Sequence, residues 1–418
     1  MRIWLITVGE PLPVDGGGKR LLRTGLLAAI LCQRGHDVVW WTSTFDHTGK
    51  RHRANSDVSV RVGERLWIQM LHSVGYRRNV SLRRVVDHWG IARKFSILAS
   101  KEKTPDIILC SLPTLELSVA AAEYGRSKGV PVVVDIRDMW PDSFLEVVPR
   151  WGRQVGRLLL SPMFEYARRA CSMATAITGI TPTFVDWGVG CAGRRRSPYD
   201  RDFPMGYSSV TPAAEAIDRA EQFWTSTGIR KENGDFIACF LGAMGRQFDL
   251  ETVISAARSL SRGQRRFRFV LCGDGESLAR YRRLAEGCAS ITFPGWVGAA
   301  EIWALMRMSS VGLAPYRTSP DFEASLPNKP IEYLSSGLPV VTSLGGVLGT
   351  LLSDHICGVK YGDGDPQSLE AVLVDLYDHP ERVDAMSANA VSLYRERFVA
   401  EKVYAEMAAY LEGMATPG

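Results

Sequence analysis

The 418-residue sequence has no apolar run that approaches the roughly 20 residues needed to cross a bilayer. We also expect no secretory leader, because the opening Met1-Arg-Ile-Trp-Leu-Ile-Thr-Val lacks the long apolar region and the cleavage site of a signal peptide. These absences lead us to expect a cytoplasmic protein. Any membrane contact is then expected to be peripheral, on the inner face of the cell membrane.

Cysteine pairs and catalytic clusters are also missing. The eight cysteines are scattered without a C-x-x-C pair, as expected for small buried hydrophobes in a reducing compartment. No His, Cys, Asp and Glu set has metal-ligand spacing, and neither a Ser-His-Asp set nor a G-x-S-x-G elbow is present. Asp363-Gly-Asp365 matches a D-x-D metal motif, but Asp365 before Pro366 is better explained as a helix N-cap with proline at N1. We therefore expect neither a metal ion nor a cofactor.

The excess of positive charge is small. The chain has 50 Lys and Arg against 45 Asp and Glu, a formal charge of +5, and no aromatic-rich basic stripe, so nucleic acid is not an expected partner. The stretch 76–94 is nevertheless basic with interleaved apolar residues. It could contact anionic lipid headgroups or an anionic acceptor, or it could be a solvated helix face.

What the sequence does contain is a repeated alternation of strand and helix patterns. The length favours two domains, and 46% hydrophobic with 23% charged residues is ordinary for a soluble protein. The alternation predicts an α/β fold of two Rossmann-like, doubly wound parallel sheets with a boundary near 194–215. The predicted strands are Ile3–Val8, Val38–Thr42, Asp106–Cys110, Val132–Asp135, Ala174–Thr178, Phe236–Leu241, Phe267–Cys272, Ser290–Phe293, Val311–Ala314 and Val340–Thr342.

The most informative segment is 326–342, which combines a loop, a short helix and a strand. Asn328 is predicted to cap the helix, and Gly337 to end it in a left-handed turn. The helix N-terminus with Lys329 beside it is a ready anion site, and Glu332, on the same face, can accept two sugar hydroxyls. The pattern favours a nucleotide-sugar site, although Lys329 and Glu332 could also form a surface ion pair.

Glycine-rich segments follow several predicted strands, where ligands of such sheets bind. After the first strand, Gly16, Gly17 and Gly18 would let the backbone approach a phosphate or an acceptor closely, or they form a flexible loop. Their spacing is not G-x-G-x-x-G, so an NAD site is not expected. In the second half, Gly242 and Arg246 suit a diphosphate, the alternative being a surface arginine in a loop.

Three further positions are candidates with open alternatives. Gly273 follows a strand and opens a helix, which is either a ligand loop or a tight turn. Trp296 could lie near a nucleotide base or in the core; we favour the core for its ring, with base contacts from nearby backbone such as Val297. Asp138 ends a strand of the first half and could orient an acceptor, or it could pair with Arg137 or cap a turn.

In their order along the chain, these motifs resemble the retaining family 4 glycosyltransferases of the GT-B fold, and most closely the bacterial enzymes of capsule, O-antigen or exopolysaccharide assembly. The resemblance covers nearly the whole chain. The motifs are Pro11…Gly16-Gly-Gly, Arg34-Gly-His-Asp-Val38, Phe240-Leu-Gly, Leu271-Cys-Gly-Asp-Gly, Phe293-Pro-Gly-Trp-Val297, Ala314-Pro-Tyr316, Asn328-Lys-x-x-Glu-Tyr333 and Gly337-Leu-Pro-Val-Val341.

The resemblance implies two Rossmann-like domains facing a cleft. Residues 1–205 would be the acceptor-binding domain and 206–395 the nucleotide-sugar-binding domain, with a helix at 396–418 packing back on the first domain. Glu332 matches the second glutamate of the family's signature pair, which holds the ribose. The first glutamate normally lies eight positions earlier; that position is Ala324 here, and Glu323 is one residue out of register.

The implied reaction is transfer of a hexosyl group from a UDP- or GDP-sugar to a glycan or lipid-linked acceptor, with retention and without metal. Arg246 and Lys329 would stabilise the leaving diphosphate, and Asp138 would complete the catalytic set. The implied donor-binding residues are Glu332, Asn328, Ser325, Leu326, Gly242, Gly273, Trp296, Val297 and Tyr316. A nucleotide-sugar epimerase is the alternative enzyme. A non-catalytic sugar-nucleotide-binding partner is the other alternative, favoured slightly by the missing first glutamate and by Arg137, where many relatives have histidine.

Overall fold

The structure is a computed structural model, and it describes residues 1–16, 20–146, 148–230 and 234–415. The chain divides into two compact units. Unit 1 consists of Met1–Gly206 together with the C-terminal segment from Ala400, and unit 2 is Tyr207–Val399.

The strands, numbered along the chain, are β1 Arg2–Ile6, β2 Asp37–Ser43, β3 Phe45–Asp46, β4 Arg51–His52, β5 Val58–Val62, β6 Leu66–Leu71, β7 Ile107–Leu112, β8 Val132–Ile136, β9 Ala176–Gly179, β10 Arg201–Asp202, β11 Phe236–Leu241, β12 Phe267–Cys272, β13 Ile291–Gly295, β14 Val311–Ala314, β15 Val340–Thr342 and β16 Gly358–Lys360. The helices are α1 Arg23–Gln33, α2 Leu82–Ala99, α3 Leu115–Lys128, α4 Asp142–Glu146, α5 Arg153–Leu159, α6 Ser161–Met173, α7 Pro182–Ala192, α8 Ala214–Ser226, α9 Leu250–Leu260, α10 Leu278–Leu284, α11 Ala299–Met308, α12 Pro320–Ala324, α13 Asn328–Ser335, α14 Gly346–Asp354, α15 Pro366–Asp378, α16 Pro380–Arg397 and α17 Ala400–Ala415.

Unit 1 is built on an eight-stranded sheet in the order β10-β9-β8-β7-β1-β2-β6-β5. All neighbours pair in parallel except β5, which is antiparallel to β6. The chain adds β2 and β6 on one side of β1 and then β7, β8 and β9 on the other, so the switch point lies between β1 and β7. The two strand ends meet there, and the hydroxyl oxygens of Thr7 and Ser111 are 2.8 Å apart.

The C-terminal helix α17 is part of unit 1 because it completes the core on one face of this sheet. Its buried side chains Tyr404, Met407 and Leu411 belong to the same apolar cluster as Leu5 and Leu27. The hydroxyl of Tyr404 also accepts a hydrogen bond of 3.1 Å from the backbone N–H of Gly206.

Unit 2 has a six-stranded parallel sheet in the order β13-β12-β11-β14-β15-β16. The chain adds β12 and β13 on one side of β11 and then β14, β15 and β16 on the other. The switch point of this sheet therefore lies between β11 and β14. All six side chains of β11 are buried, which is the pattern of a strand covered on both faces.

The predicted α/β fold with two parallel sheets is confirmed, and the bounds of β11, β12, β14 and β15 agree with the prediction. The β5–β6 hairpin was not predicted, although both strands alternate in burial. Asp365 caps α15 as expected, since its carboxylate accepts from the backbone N–H groups of Gln367 and Ser368 at 3.0 Å. The prediction that Asn328 caps α13 is wrong: Asn328 is already helical, and the N-cap is Pro327, which makes no side-chain cap.

Candidate functional site

Helix α13 begins at the switch point of the unit 2 sheet, and the buried Tyr333 holds it there. The Tyr333 hydroxyl accepts from the N–H of Leu241 at 3.1 Å and donates to the carbonyl oxygen of Leu313 at 3.2 Å. These groups belong to β11 and β14, so one side chain bridges the strands where they separate. The ring lies against Gly312, where a Cβ would be 2.5 Å from ring carbons. The first turn of α13 is thus placed where open α/β sheets bind ligands.

A cavity of about 130 Å³ lies beside this turn. It is formed by the carboxyl ends of β11, β12 and β13 together with α13 and α11. Its lining residues are Leu241, Gly242, Cys272, Gly273, Trp296, Val297, Ile302, Lys329 and Glu332. Five of the predicted donor-binding residues are therefore brought together around one opening, with Lys329 of the predicted catalytic set beside them.

Lys329 supplies the positive charge of this cavity. Its ammonium nitrogen lies 4.8 Å from the centroid of the Phe248 ring, in cation–π contact. Burial lowers the pKa of Lys329, and the nearby carboxylate of Glu332 opposes that shift. A partly desolvated ammonium is poorly hydrated and gains from an anion that enters beside it.

Two glycines allow close packing at the strand ends, Gly242 against Lys329 and Gly273 against the backbone of Gly242. A Cβ at Gly242 would lie 2.0 Å from Cε of Lys329, and a Cβ at Gly273 would lie 1.8 Å from the carbonyl oxygen of Gly242. Their φ angles of +149° and +137° are also ones that other residues rarely adopt. Their N–H groups already donate to Cys272 and Gly295, at 3.0 and 2.8 Å. These glycines therefore serve close approach, not direct donation to a phosphate.

The carboxylate of Glu332 is oriented by a tyrosine that sequence reasoning missed. The Tyr207 hydroxyl donates to Oε1 of Glu332 at 2.9 Å, and the Tyr394 hydroxyl donates to the carbonyl oxygen of Tyr207 at 2.9 Å. No local pattern could have found Tyr207, since it lies far from Glu332 in the sequence, in the segment that opens unit 2. A carboxylate oxygen has more than one lone pair, so this bond leaves capacity for a sugar hydroxyl.

Two predicted residues lie differently from the expectation. Trp296 is 76% exposed on the rim of the cavity, so the expectation of core packing for its ring is wrong; Val297 beside it is buried. Arg246 is on the loop after β11, but its side chain is 91% exposed and pairs with Glu276 at 3.2 Å. Arg246 does not line the cavity.

Four other predicted donor-binding residues do not line the cavity. Tyr316 is buried between the rings of Phe248 and Phe322, at centroid distances of 4.8 and 4.9 Å, and burial raises the pKa of its hydroxyl. Ser325 is buried and donates to the carbonyl oxygen of Phe322 at 3.2 Å, while Leu326 is also buried and Asn328 is exposed.

Glu323 is directed toward the start of α14. Its Oε1 accepts from the N–H of Gly345 at 3.1 Å, and a Cβ on Gly346 would lie 2.6 Å from its Oε2. The in-register Ala324 is buried. Glu323 thus holds the loop that opens α14 and does not line the cavity beside Lys329.

In unit 1, Arg137 belongs to a buried ion network at the switch point. It donates to Asp135 at 2.8 Å and to Thr24 at 3.1 Å, and it pairs with Glu10. Arg23 makes two further bonds of 2.9 Å to Asp135. Burial alone would raise the pKa of Asp135, but the two guanidinium groups more than offset this and hold it well below the ordinary value. Arg137 thus forms ion pairs with Glu10 and Asp135.

Asp138 follows β8 and lies in a second polar cluster. One of its carboxylate oxygens is buried. Burial lowers the pKa of Arg84, and the charges of Tyr76 and Asp138 oppose that shift. The Arg84 guanidinium lies 4.4 Å from the ring centroid of Trp140 and 5.3 Å from that of Tyr76. Asp138 is therefore beside a cation that is itself fixed between two aromatic rings.

Two histidines complete this cluster in uncharged form. Burial, followed by the charge of Arg84, lowers the pKa of His88 to about 3. Burial, followed by the charges of Lys50 and Arg84, lowers the pKa of His47 to about 4. His88 Nδ1 is 3.8 Å from Oε2 of Glu116, whose pKa is raised by burial.

The glycine loop after β1 is described only in part. Gly16 is exposed and lines a cavity of about 510 Å³ beside β4, β5 and β6. The adjacent Asp15 pairs with Arg53 through bonds of 2.6 and 2.7 Å, which ties this loop to the end of the β3–β4 hairpin. Gly17 and Gly18 lie outside the described residues. Within the described part of the chain, no three His, Cys, Asp or Glu side chains are grouped to hold a metal ion.

Two protein families match successive parts of the chain. The family described as "Glycosyl transferase 4-like domain" matches residues 22–200, within unit 1. The family described as "Glycosyl transferases group 1" matches residues 235–379, within unit 2. Together the two matches cover more than half of the sequence. No curated protein matches the chain in sequence.

Solved structures share the fold over nearly the full length. Sucrose-phosphate synthase from Thermosynechococcus elongatus has a TM-score of 0.71 at 15% identity, covering 99% of this chain and 98% of that one. HepE of Anabaena in complex with UDP-glucose has a TM-score of 0.64 at 16% identity, covering 99% and 100%. WaaG, a glycosyltransferase involved in lipopolysaccharide biosynthesis, has a TM-score of 0.59 at 14% identity, covering 99% and 100%. At these identities the likeness is one of fold, and it confirms the predicted GT-B fold.

Proposed function

Because this chain belongs to the glycosyltransferases in which a glycosyl transferase 4-like domain precedes a group 1 domain, we propose that it moves a hexosyl group from a UDP- or GDP-sugar to a glycan or lipid-linked acceptor. The proposed transfer retains the anomeric configuration and needs no metal ion. The observation that carries this proposal is the placement of Lys329 and Glu332 on one turn of α13, at the edge of one cavity.

The donor is proposed to bind with its parts distributed along this cavity. The diphosphate lies against Lys329 and the N-terminus of α13, because both present positive charge there. The ribose hydroxyls donate to Glu332, whose carboxylate Tyr207 already orients. The exposed Trp296 and the backbone of Val297 border the place left for the base. The complex of HepE with UDP-glucose favours beginning with UDP-linked donors.

The chemistry follows from charge development. As the bond between the anomeric carbon and the phosphate oxygen breaks, its electron pair passes to the diphosphate, where Lys329 stabilises the new charge. We propose Arg246 as a second cation, which must exchange its contact with Glu276 for the phosphate. The incoming hydroxyl bonds to the anomeric carbon on the face that the diphosphate leaves, and a donor phosphate oxygen takes its proton. Attack on that face gives retention.

The acceptor is proposed to bind on unit 1, where Asp138 orients it and the loop at Gly16 borders its path. A role in cell-surface polysaccharide assembly is supported by the motif resemblance and by the fold likeness to WaaG. We propose that the protein works in the cytoplasm and that 76–94 contacts the inner face of the membrane, which would bring it to a lipid-linked acceptor.

The direct test is product analysis with UDP- and GDP-hexoses, a lipid extract as acceptor source, and EDTA. We expect release of nucleoside diphosphate that requires the extract, an α-linked product from an α-linked donor, and no loss of activity with EDTA. In Lys329→Ala the release should fall, whereas Lys101→Ala, an exposed lysine of unit 1, should be unaffected. Conversion of the donor without acceptor would identify an epimerase, and donor binding without turnover would identify a non-catalytic partner. Loss of activity with EDTA that Mn²⁺ restores would contradict metal independence.

A further inference from the structure

The segment from Trp151 to Leu159 exposes large apolar side chains to solvent. Trp151 is 89% exposed, and Leu158 and Leu159 are 74% and 75% exposed. None of the residues of α5 is buried. Large side chains of this kind are rarely left in water as a group unless a membrane or a partner covers them.

The charges on this segment are of one sign. No Asp or Glu occurs from 149 to 164, while Arg153 and Arg157 are exposed on α5. At helical spacing, the leucines lie on one side of α5 and the two arginines on the other. An apolar stripe with arginines and a tryptophan beside it has the composition of a helix that lies in the membrane interface.

A second exposed surface of the same composition lies on α2. Leu82 is 85% exposed, and Val86 and Trp89 are also exposed. From 75 to 99 the single acidic residue is Asp87, and it is buried. This surface carries the basic residues that led to the expectation of a membrane contact through 76–94.

Both surfaces lie in unit 1, where Trp140 and α4 link the two helices. The Arg84 guanidinium of α2 lies 4.4 Å from the ring centroid of Trp140, which lies two residues before α4 in the chain. The ring of His88 also stacks on Trp140, at a centroid distance of 6.3 Å. Helix α2 thus contacts Trp140 just before α4, and α4 packs closely on α5, where a Cβ at Gly156 would lie 3.1 Å from Cδ2 of Leu145.

We propose that Trp151 and α5 form a membrane-binding element for an anionic lipid bilayer. Trp151, Leu158 and Leu159 enter the interface, and Arg153 and Arg157 remain at the level of the headgroups. An anionic bilayer complements the segment 149–164, in which every charged residue is basic. In a symmetric dimer the same surface would face itself, so its arginines would repel one another. None of the helices in the described part of the chain has the length and hydropathy of a membrane span.

This inference extends the membrane contact of the proposed function from α2 to a second segment and rests on that part of it. The test is co-sedimentation of the full chain with vesicles, either pure phosphatidylcholine or containing phosphatidylglycerol, with no nucleotide sugar present. The decisive variant is Leu158→Gln/Leu159→Gln. Val210→Gln/Leu284→Gln, at two exposed positions of unit 2, is the matched control. Arg153→Gln/Arg157→Gln removes the charge and keeps the apolar face.

The wild type and the unit 2 control are expected to bind vesicles that contain phosphatidylglycerol and not pure phosphatidylcholine. The leucine variant should bind at least about tenfold more weakly, because it loses two inserting side chains. The arginine variant should bind more weakly at low salt and approach the wild type at high salt. Wild-type binding that the leucine variant retains would overturn the proposal, as would no binding by the wild type.

Sedimentation velocity without lipid tests the remaining explanation, namely that the apolar surface of α5 binds a second copy of the chain. A concentration-dependent dimer that the leucine variant abolishes would overturn the lipid assignment in favour of a second copy of the chain. Calorimetry with UDP-glucose and GDP-mannose on the same proteins reports on the proposed function. If the wild type binds a nucleotide sugar but no vesicles, the membrane proposal fails and the proposed function stands. If it binds vesicles but no nucleotide sugar, the result counts against the proposed function alone.

Discussion

The contact between Lys329 and Gly242 yields a prediction that depends on atomic detail. A Cβ at position 242 would lie 2.0 Å from Cε and 2.5 Å from Nζ of Lys329. Carbon atoms in contact are normally about 3.5–4.0 Å apart, so the lysine tip must move by roughly 1.5 Å or more in Gly242→Ala. The tip of a lysine moves easily, and we therefore expect displacement of the ammonium from the cavity and a folded protein.

The size of the effect follows from the bond that is lost. A hydrogen bond to a charged group contributes about 1.5–3 kcal/mol, which corresponds to a roughly 10- to 150-fold loss in donor affinity. Gly242→Ala and Lys329→Ala should each show a loss in this range. The double variant should be no weaker than Lys329→Ala alone, because the alanine at 242 then has no lysine to displace. Calorimetry with the best nucleotide sugar measures all four proteins.

Strain at position 242 must be separated from displacement of the lysine. The φ angle of +149° at Gly242 makes any side chain costly, by about 1–3 kcal/mol. Gly287→Ala is the control, since Gly287 also has a positive φ, of +75°, but its Cβ would meet no atom within 4 Å. Gly287→Ala should lower the melting temperature and leave donor affinity unchanged. Multiplicative losses in the double variant, or wild-type affinity in Gly242→Ala, would refute the reasoning.

Three further predictions concern groups held by buried contacts. In calorimetry, Glu332→Ala should weaken UDP binding by about 10- to 150-fold and should bind UDP no more tightly than 2′-deoxy-UDP. Tyr207→Phe should cause a smaller loss of UDP affinity. A wild type that binds UDP and 2′-deoxy-UDP equally well would refute the ribose role of Glu332. The pKa of His88 is lowered to about 3, so the unfolded chain binds more protons between pH 6.5 and 3 and stability falls as pH drops through that window. Urea unfolding of His88→Phe at pH 7 and pH 5 should show a smaller fall than the wild type, and an equal fall would contradict this assignment. Arg137→Met should lower the free energy of unfolding by about 3–5 kcal/mol in urea melts, because the carboxylate of Asp135 keeps only one of its two cations. A loss below about 1 kcal/mol would mean that the buried ion network of unit 1 contributes little to stability.

The fold could be predicted from the sequence because its strands are short, apolar and separated by helical patterns. Strands such as Phe236–Leu241 are fully buried, so their apolar runs are continuous and easy to recognise. The hairpin of β5 and β6 was missed because its strands follow one another without an intervening helix, and the edge strand Val58–Val62 has no fully buried residue.

The candidate site was predictable where its chemistry is local. Lys329 and Glu332 share one helical face, and the glycines at 242 and 273 directly follow strands, so local patterns marked each of them as a candidate. The family resemblance then grouped them as one donor site. Tyr207 orients Glu332 from a distant segment, and Arg137 pairs with Glu10 across unit 1; such contacts have no local pattern. The exposure of Trp296 was mispredicted because a tryptophan after a strand is equally compatible with the core and with the rim of a pocket.

A thermal-shift panel of UDP- and GDP-sugars on the wild type and on Lys329→Ala tests the central claim most directly, namely that a nucleotide sugar binds at the first turn of α13. At a concentration of 100 times its dissociation constant, a ligand stabilises its protein by about 2.7 kcal/mol, enough to rank the donors by their shifts. We predict that at least one nucleotide sugar raises the melting temperature of the wild type and that this rise is largely lost in Lys329→Ala. An equal rise in both proteins, or no rise with any nucleotide sugar, would contradict the claim.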